Sequence, residues 1–250
     1  MDFVVPHATP GLSIVLPAYN EEDNLETLVS QCLEIVPQVT SLPFEVVAVN
    51  DGSTDQTGPK LDHLAARHPA VKVVHHLENL GCGQALLTGF QHTRYQHIFY
   101  MDSDLQFDLH ELRLFMPYLN SHNLILGYRI ARQDPWHRLL YSYSWNKLMY
   151  LLFGLNVKDI NCGFRLFRRE VIAPMQIESM GAMFFAEFLI KAMTAGVEYI
   201  EIGVNHYPRA SGQPTGGQLA VVVRAFREMC RFFGRWHFGN GKLLKNPQRG

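Results

Sequence analysis

Leu12-Ser13-Ile14-Val15-Leu16-Pro17-Ala18-Tyr19-Asn20-Glu21-Glu22 begins as a short apolar run rich in β-branched residues and ends in polar side chains. A run of this length, apolar along both faces, reads as a strand buried inside a sheet. Beyond it, Leu25, Leu28, Val29, Cys32 and Val36 return at helical spacing. Asn20 is placed to cap that helix, with Asp23 three residues on as in a capping box. The pattern then repeats outward. Phe44 to Val49, Val71 to His75, His97 to Met101 and Asn123 to Gly127 are further strand-like runs. Leu61, Leu64 and Ala65 mark one helix between them, and Leu86, Leu87 and Phe90 another. Asp108 to Leu119 reads as a helix whose end Pro117 weakens. Strand alternating with helix predicts an α/β fold with a doubly wound parallel sheet.

After Gly127 the register changes. Arg132 to Leu155 is dense in Trp, Tyr and Leu, Val197 to His206 alternates as a strand does, and Gln218 to Phe233 reads as a helix. The 250 residues fit one domain, with a ligand-binding half over 1–130 and a second half over 131–250. A hydrophobic content of 47% and a charged content of 18% supply a packed core and exclude a disordered chain. Cys32, Cys82, Cys162 and Cys230 are far apart without a CxxC pair, which argues against a disulfide framework or a cysteine zinc site and fits a reducing, cytoplasmic setting. MDFVVPHATPG is too short and interrupted for a signal peptide, and no window holds the roughly 18 apolar residues of a membrane span.

The net charge of −1 hides an asymmetry. From Asn205 onward, Arg209, Arg224, Arg227, Arg231, Arg235, Lys242, Lys245 and Arg249 face Glu228 alone, a balance of +7, whereas the first 204 residues carry −8. A basic end of this kind suits phosphates or lipid headgroups, or is a solvated tail. The acidic first half counts against a nucleic-acid partner.

In open α/β sheets ligands bind beyond the carboxyl ends of the strands, and the polar motifs sit there. Pro17 to Glu22 follows the first strand, Asn50-Asp51-Gly52-Ser53-Thr54-Asp55 the second, and Asp102-Ser103-Asp104-Leu105-Gln106 the fourth. Each alone is also good turn or capping chemistry; three at three strand ends point into one crevice. Asp102 and Asp104 are two apart, share a face of an extended chain, and can reach one ion, with Gln106 adding a neutral oxygen. Oxygen donors select Mg²⁺ or Mn²⁺, which would stabilise charge growing on a diphosphate leaving group. Gly81-Cys82-Gly83 starts like a dinucleotide fingerprint, but Leu86 stands at the third glycine position and the motif follows the third strand, so it reads as a tight turn. No GxxxxGK[ST], HExxH or GxSxG occurs. His75-His76 lacks a partner at metal-ligand spacing and reads as structural or surface.

Together, Ile14 to Glu21, Asn50 to Asp55 and Asp102 to Gln106 resemble the ordered signature of family 2 glycosyltransferases of the GT-A fold. Asp159-Ile160-Asn161-Cys162-Gly163-Phe164-Arg165-Leu166-Phe167 and Arg209-Ala210-Ser211-Gly212 resemble the dolichol-phosphate mannose synthase and polyprenyl-phosphate glycosyltransferase branch. The resemblance spans roughly residues 12–235 and implies a mostly parallel sheet with helices on both faces and C-terminal amphipathic helices. It implies an inverting enzyme that carries a sugar from GDP-mannose or a UDP-sugar to a polyprenyl phosphate with Mg²⁺ or Mn²⁺. Pro17, Tyr19 and Glu21 would line the nucleotide pocket, joined by Asn50 and Ser103, and Asp51 would contact base or ribose. Asp102, Asp104 and Gln106 would bind the metal, and Arg129, Arg165 and Arg209 would hold phosphates. Relatives often carry Asp-Asp where this chain has Asn50-Asp51, which leaves the nucleotide preference open.

A phosphate acceptor is largely ionised and needs little base help, whereas a hydroxyl acceptor needs a carboxylate, for which Asp159 is the candidate; its other reading is a turn cap. The rival readings are a soluble glycosyltransferase acting on a hydroxyl and a catalytically silent nucleotide-sugar-binding scaffold. The resemblance also implies peripheral contact with an anionic membrane surface. Two segments would make that contact: Val222, Ala225, Met229 and Phe232/Phe233 opposite Arg224, Arg227 and Arg231, and Leu139, Leu140, Tyr143, Leu148, Leu151 and Leu152 flanked by Arg138, Trp145 and Lys147.

Overall fold

Alternation in the first strand is the key to the architecture, because it feeds two cores at once. In β1 (Thr9–Ala18) Leu12, Ile14 and Leu16 face one side of the sheet and Val15 the other, as the two-residue period of an extended chain requires. The computed structural model describes residues 9–130, 132, 136–209 and 219–238. The expectations that rest on Ser211, Gly212, Gln218, Lys242, Lys245 and Arg249, and on residues 1–8, lie outside the described residues.

Six further strands join β1: β2 (Phe44–Asp51), β3 (Val71–His76), β4 (Tyr95–Met101), β5 (Leu124–Ile130), β6 (Phe164–Arg168) and β7 (Tyr199–Asn205). They form one seven-stranded sheet in the order β3-β2-β1-β4-β6-β5-β7. The β3-β2-β1-β4 group is parallel, and so is the β5-β7 pair, whereas β6 runs antiparallel to both of its neighbours. The sheet is therefore mostly parallel, as expected, with one inverted strand that the sequence reading did not mark. β6 has only five residues, and Arg165 and Arg168 interrupt its apolar run.

Helices α1 (Leu25–Val39) and α2 (Thr57–Arg67) cover one face. On the other face lie α3 (Cys82–His92), α4 (Trp136–Phe153), the short α5 (Arg169–Ile172), α6 (Met183–Thr194) and α7 (Leu219–Phe238). Helix α6 is buried along most of its length and so lacks the one-sided pattern that reveals a surface helix.

Two local expectations are corrected. Residues 109–118 form two short 3₁₀ turns, Leu109–Leu114 and Met116–Tyr118, rather than an α-helix, since Pro117 can neither donate to the preceding turn nor clear its carbonyl. Asn20 does not cap α1. It takes a left-handed conformation (φ 53°), and its Oδ1 accepts from Thr54 N at 2.9 Å, which ties the first polar loop to the second. The N-cap position of α1 belongs to Asn24.

The membrane-facing stripe expected on α7 is also corrected. Ala225, Met229 and Phe232 are buried and face the core, whereas Val222 of that stripe is exposed, as are Val223, Phe226 and Phe238. On α4, Leu139, Leu140, Tyr143 and Leu151 are exposed as expected, while Leu148 and Leu152 pack against the core. Among the described residues, no helix is long and apolar enough to cross a membrane.

Candidate active site

Three polar loops leave the carboxyl ends of β1, β2 and β4 and are laced together. Glu21 N donates to Thr57 Oγ1 at 2.9 Å, Asn20 N to Ser53 Oγ at 3.0 Å, and Gln56 N to Glu22 Oε2 at 2.9 Å. Ser103 Oγ donates to Pro17 O at 2.7 Å and joins the β4 loop to the β1 loop. Leu105 adopts a left-handed conformation (φ 58°), turning the chain sharply just past the carboxylate pair.

The crevice holds Glu21, Asp102, Asp104 and Arg209 together. Arg209 Nη2 donates to Asp104 Oδ2 at 3.1 Å and approaches Glu21 Oε1 at 3.4 Å. Glu21 Oε2 also accepts from Asn24 Nδ2 at 2.6 Å. Burial pushes Glu21 above the usual glutamate range, more than the Asn24 hydrogen bond and the Arg209 charge pull it down. Burial, followed by the neighbouring Asp104 carboxylate, pushes Asp102 up to about 7 against the pull of Arg129, Arg165 and Arg209. Two crowded carboxylates of this kind form a donor set that a hard divalent cation stabilises, with phosphate oxygens completing the shell. Among the described residues no three His, Cys, Asp or Glu side chains form a ready-made cage. The Gln106 side-chain amide donates through Nε2 to Tyr207 O at 2.9 Å, a bond that does not occupy the Oε1 expected on the metal, while Tyr207 N donates to Gln106 O at 2.9 Å. It thereby braces the β4 loop against the segment that carries Arg209. Tyr19 is exposed on the lip.

A second cluster lies beside the first. Arg129, on β5, grips Asp159 through Nε at 2.7 Å and Nη2 at 2.9 Å. Burial would raise Asp159, but these bonds and the Arg129 charge outweigh it and hold its carboxyl below the usual range. A carboxylate so engaged is a weak base. Arg165 alternates with Phe164 and Leu166 on β6, which turns it toward α6 and leaves it 1% exposed. Its guanidinium lies 4.5 Å from the Phe185 ring centroid and donates to Ile160 O. Arg165 thus holds the 159–163 turn from beneath and adds positive potential at Asp102, while its Nε and Nη1 make no hydrogen bond among the described residues.

Asn50 and Asp51, at the end of β2, point toward β3 and the start of α3. Asn50 Oδ1 accepts from Ser53 N at 3.1 Å, and its amide meets His75 Nδ1 at 3.0 Å. Asp51 accepts from Leu80 N at 3.0 Å and Gly81 N at 2.9 Å, and meets His76 Nδ1 at 2.7 Å. Asp51 therefore seats the turn before α3. Sequence reasoning missed Glu111, buried at 8% exposure, whose Oε2 accepts from Asn205 N at 2.8 Å and anchors the approach to Arg209. It also missed the tight fit of Gly163 under Asp102, although the glycine between Cys162 and Phe164 was a visible signal.

The profile described as "Glycosyl transferase family 2" matches residues 13–174. Polyprenol monophosphomannose synthase of Mycolicibacterium smegmatis is 30% identical over 212 residues, covering 80% of this chain and 78% of the relative. Undecaprenyl-phosphate 4-deoxy-4-formamido-L-arabinose transferase of Edwardsiella ictaluri is 30% identical over 214 residues, covering 84% of this chain but only 64% of that protein. The fold matches a mannosyltransferase from Pyrobaculum calidifontis solved with GDP-Man and Mn²⁺, with a TM-score of 0.59 at 19% identity, covering 92% of this chain and 66% of that one. The profile match over residues 13–174 and the 30% identity to a relative covered to 78% show that the chain belongs to glycosyl transferase family 2.

Proposed function

We propose that this glycosyltransferase moves a sugar from a nucleotide diphosphate, GDP-mannose or a UDP-sugar, to a polyprenyl phosphate, with Mg²⁺ or Mn²⁺ at Asp102 and Asp104. The observation that carries the reading is a relative named for a polyprenol phosphate product and similar over most of both chains. The chain's own chemistry supports it. Asp102 and Asp104 would hold the cation, which, when bound, offsets charge on the departing diphosphate. Arg209, already between Glu21 and Asp104, is placed to turn toward a phosphate. Pro17, Tyr19 and Ser103 would line the donor pocket, and Asn50 and Asp51 would shape its wall by fixing the turn before α3. A phosphate oxygen of the acceptor bonds to the anomeric carbon as the bond to the nucleotide diphosphate breaks, and the diphosphate leaves with the electron pair. No proton has to move from an ionised phosphate, in keeping with the engagement of Asp159 by Arg129.

The acceptor's tail implies work at a membrane surface. The exposed side chains of α4 and α7, which meet through Phe153 and Phe232 with ring centroids 5.4 Å apart, give an apolar surface for peripheral contact. The test is a donor panel with Mn²⁺ or Mg²⁺, run with and without a polyprenyl phosphate. Label moving into the lipid extract is the expected result. Equal transfer to a water-soluble hydroxyl without lipid would favour the soluble reading instead.

A further inference from the structure

Helix α7 has three faces. Ala225, Met229 and Phe232 are buried against the core, Val222, Val223 and Phe226 are exposed, and Arg224, Arg227, Arg231 and Arg235 line a third side. The arginines recur at i, i+3, i+7 and i+11, which keeps all four guanidinium groups along one stripe. With Glu178, Ser179, Met180 and Glu228 they enclose a cavity of about 450 Å³. Both carboxylates of this cavity are already engaged. Glu228 meets Arg224 Nε at 3.1 Å and accepts from Gly181 N at 3.2 Å, and Glu178 pairs with Arg235. Arg227 and Arg231 have no carboxylate partner among the described residues, so two positive charges in the middle of the stripe are uncompensated.

The floor of this cavity is fixed rather than loose. Met180 O accepts from Gly83 N at 3.1 Å, and a β-carbon on Gly81 would stand 3.0 Å from Met180 O and 3.6 Å from the Arg224 guanidinium. None of the lining residues belongs to the group that meets at Asp102 and Asp104.

We infer that this groove is a second phosphate site, one that takes the headgroup phosphate of an anionic lipid. Forked guanidinium groups match phosphate oxygens. The source is a lipid rather than a dissolved ion because the exposed apolar stripe Val222/Val223/Phe226 runs beside the arginines on the same helix, where it would enter the acyl boundary as the arginines meet the headgroups. This deepens the membrane-surface reading and rests on it, but binding is measured without turnover. Failure of the donor panel would therefore leave this measurement intact.

The experiment compares the full chain with Arg227→Gln/Arg231→Gln in flotation with phosphatidylcholine vesicles and with the same vesicles carrying phosphatidate. Arg67→Gln/Arg113→Gln, at two exposed positions elsewhere, serves as a control of equal charge change. The expected result is binding to phosphatidate vesicles that the groove variant weakens about 30-fold, from two basic residues at the surface, while the control variant falls far less and both keep the wild-type melting temperature. Equal losses in the two variants would reduce the effect to net charge and overturn the site. Stabilisation of wild type, and not of the groove variant, by inorganic phosphate, with phosphatidate vesicles ignored, would overturn the lipid source.

Discussion

Gly163 lies so close to Asp102 that a β-carbon there would stand 1.9 Å from Oδ2. Gly163→Ala should therefore displace the carboxylate rather than unfold β6. The expected outcome is a transfer rate reduced more than tenfold and a higher Mn²⁺ concentration for half-maximal rate, with unchanged circular dichroism; normal metal dependence would remove Gly163 from the site. Asp104→Ala should abolish most activity while the fold survives, and full turnover of that variant in EDTA would end the metal reading. The Arg129–Asp159 pair makes a prediction about stability. Breaking a buried ion pair by removing one charge costs about 3 kcal/mol, so Asp159→Asn should lower the denaturation midpoint at neutral pH. Asp159 titrates lower in the folded chain than unfolded, so its contribution is complete above the ordinary carboxylate range and fades as pH falls through the folded value. The gap between wild type and Asp159→Asn should accordingly narrow below about pH 4, which urea titrations at several pH values would measure.

Elements deliver these side chains, and their anchors decide how well. β7 reaches Arg209 only through Asn205, whose backbone N–H is held by Glu111 from the first 3₁₀ turn. Glu111→Ala leaves that buried donor unpaired, at about 2 kcal/mol, and should raise the donor KM more than it lowers kcat. Equal falls in stability with unchanged KM would make Glu111 purely structural. The elements readable in the sequence were those with a simple pattern: β1 to β5 as short apolar runs, β7 by alternation, and α1 to α3 and α7 by helical spacing. β6 and α6 escaped because one is short with two arginines and the other is buried nearly all round. Within the site, the carboxylate pair was legible because a motif at a strand end has to face the crevice, whereas Arg209 was expected only through the family resemblance. The inward turn of Arg165 was not legible, since it depends on which face of an unrecognised strand carries it.

At the scale of the molecule, the crevice is built from loops that cross-brace one another, and a ligand joining them should stiffen the whole. A nucleotide diphosphate together with Mn²⁺ at a hundredfold excess over Kd adds about 2.7 kcal/mol, or about 5–10 °C in melting temperature for a chain of this size. Either component alone should do much less, because the carboxylates and the phosphates each need the cation between them; a full shift from nucleotide without metal would contradict this. The inverted strand has a different consequence, for how the protein is made. β4 can pair with β1 as soon as residue 101 has left the ribosome, but its other edge waits for β6, which begins at Phe164. During that interval of synthesis the nascent chain carries an apolar strand, Ile98-Phe99-Tyr100-Met101, with one side of its backbone unmet. A chain stalled near residue 160 should then aggregate or recruit chaperones, and the 250-residue chain should not.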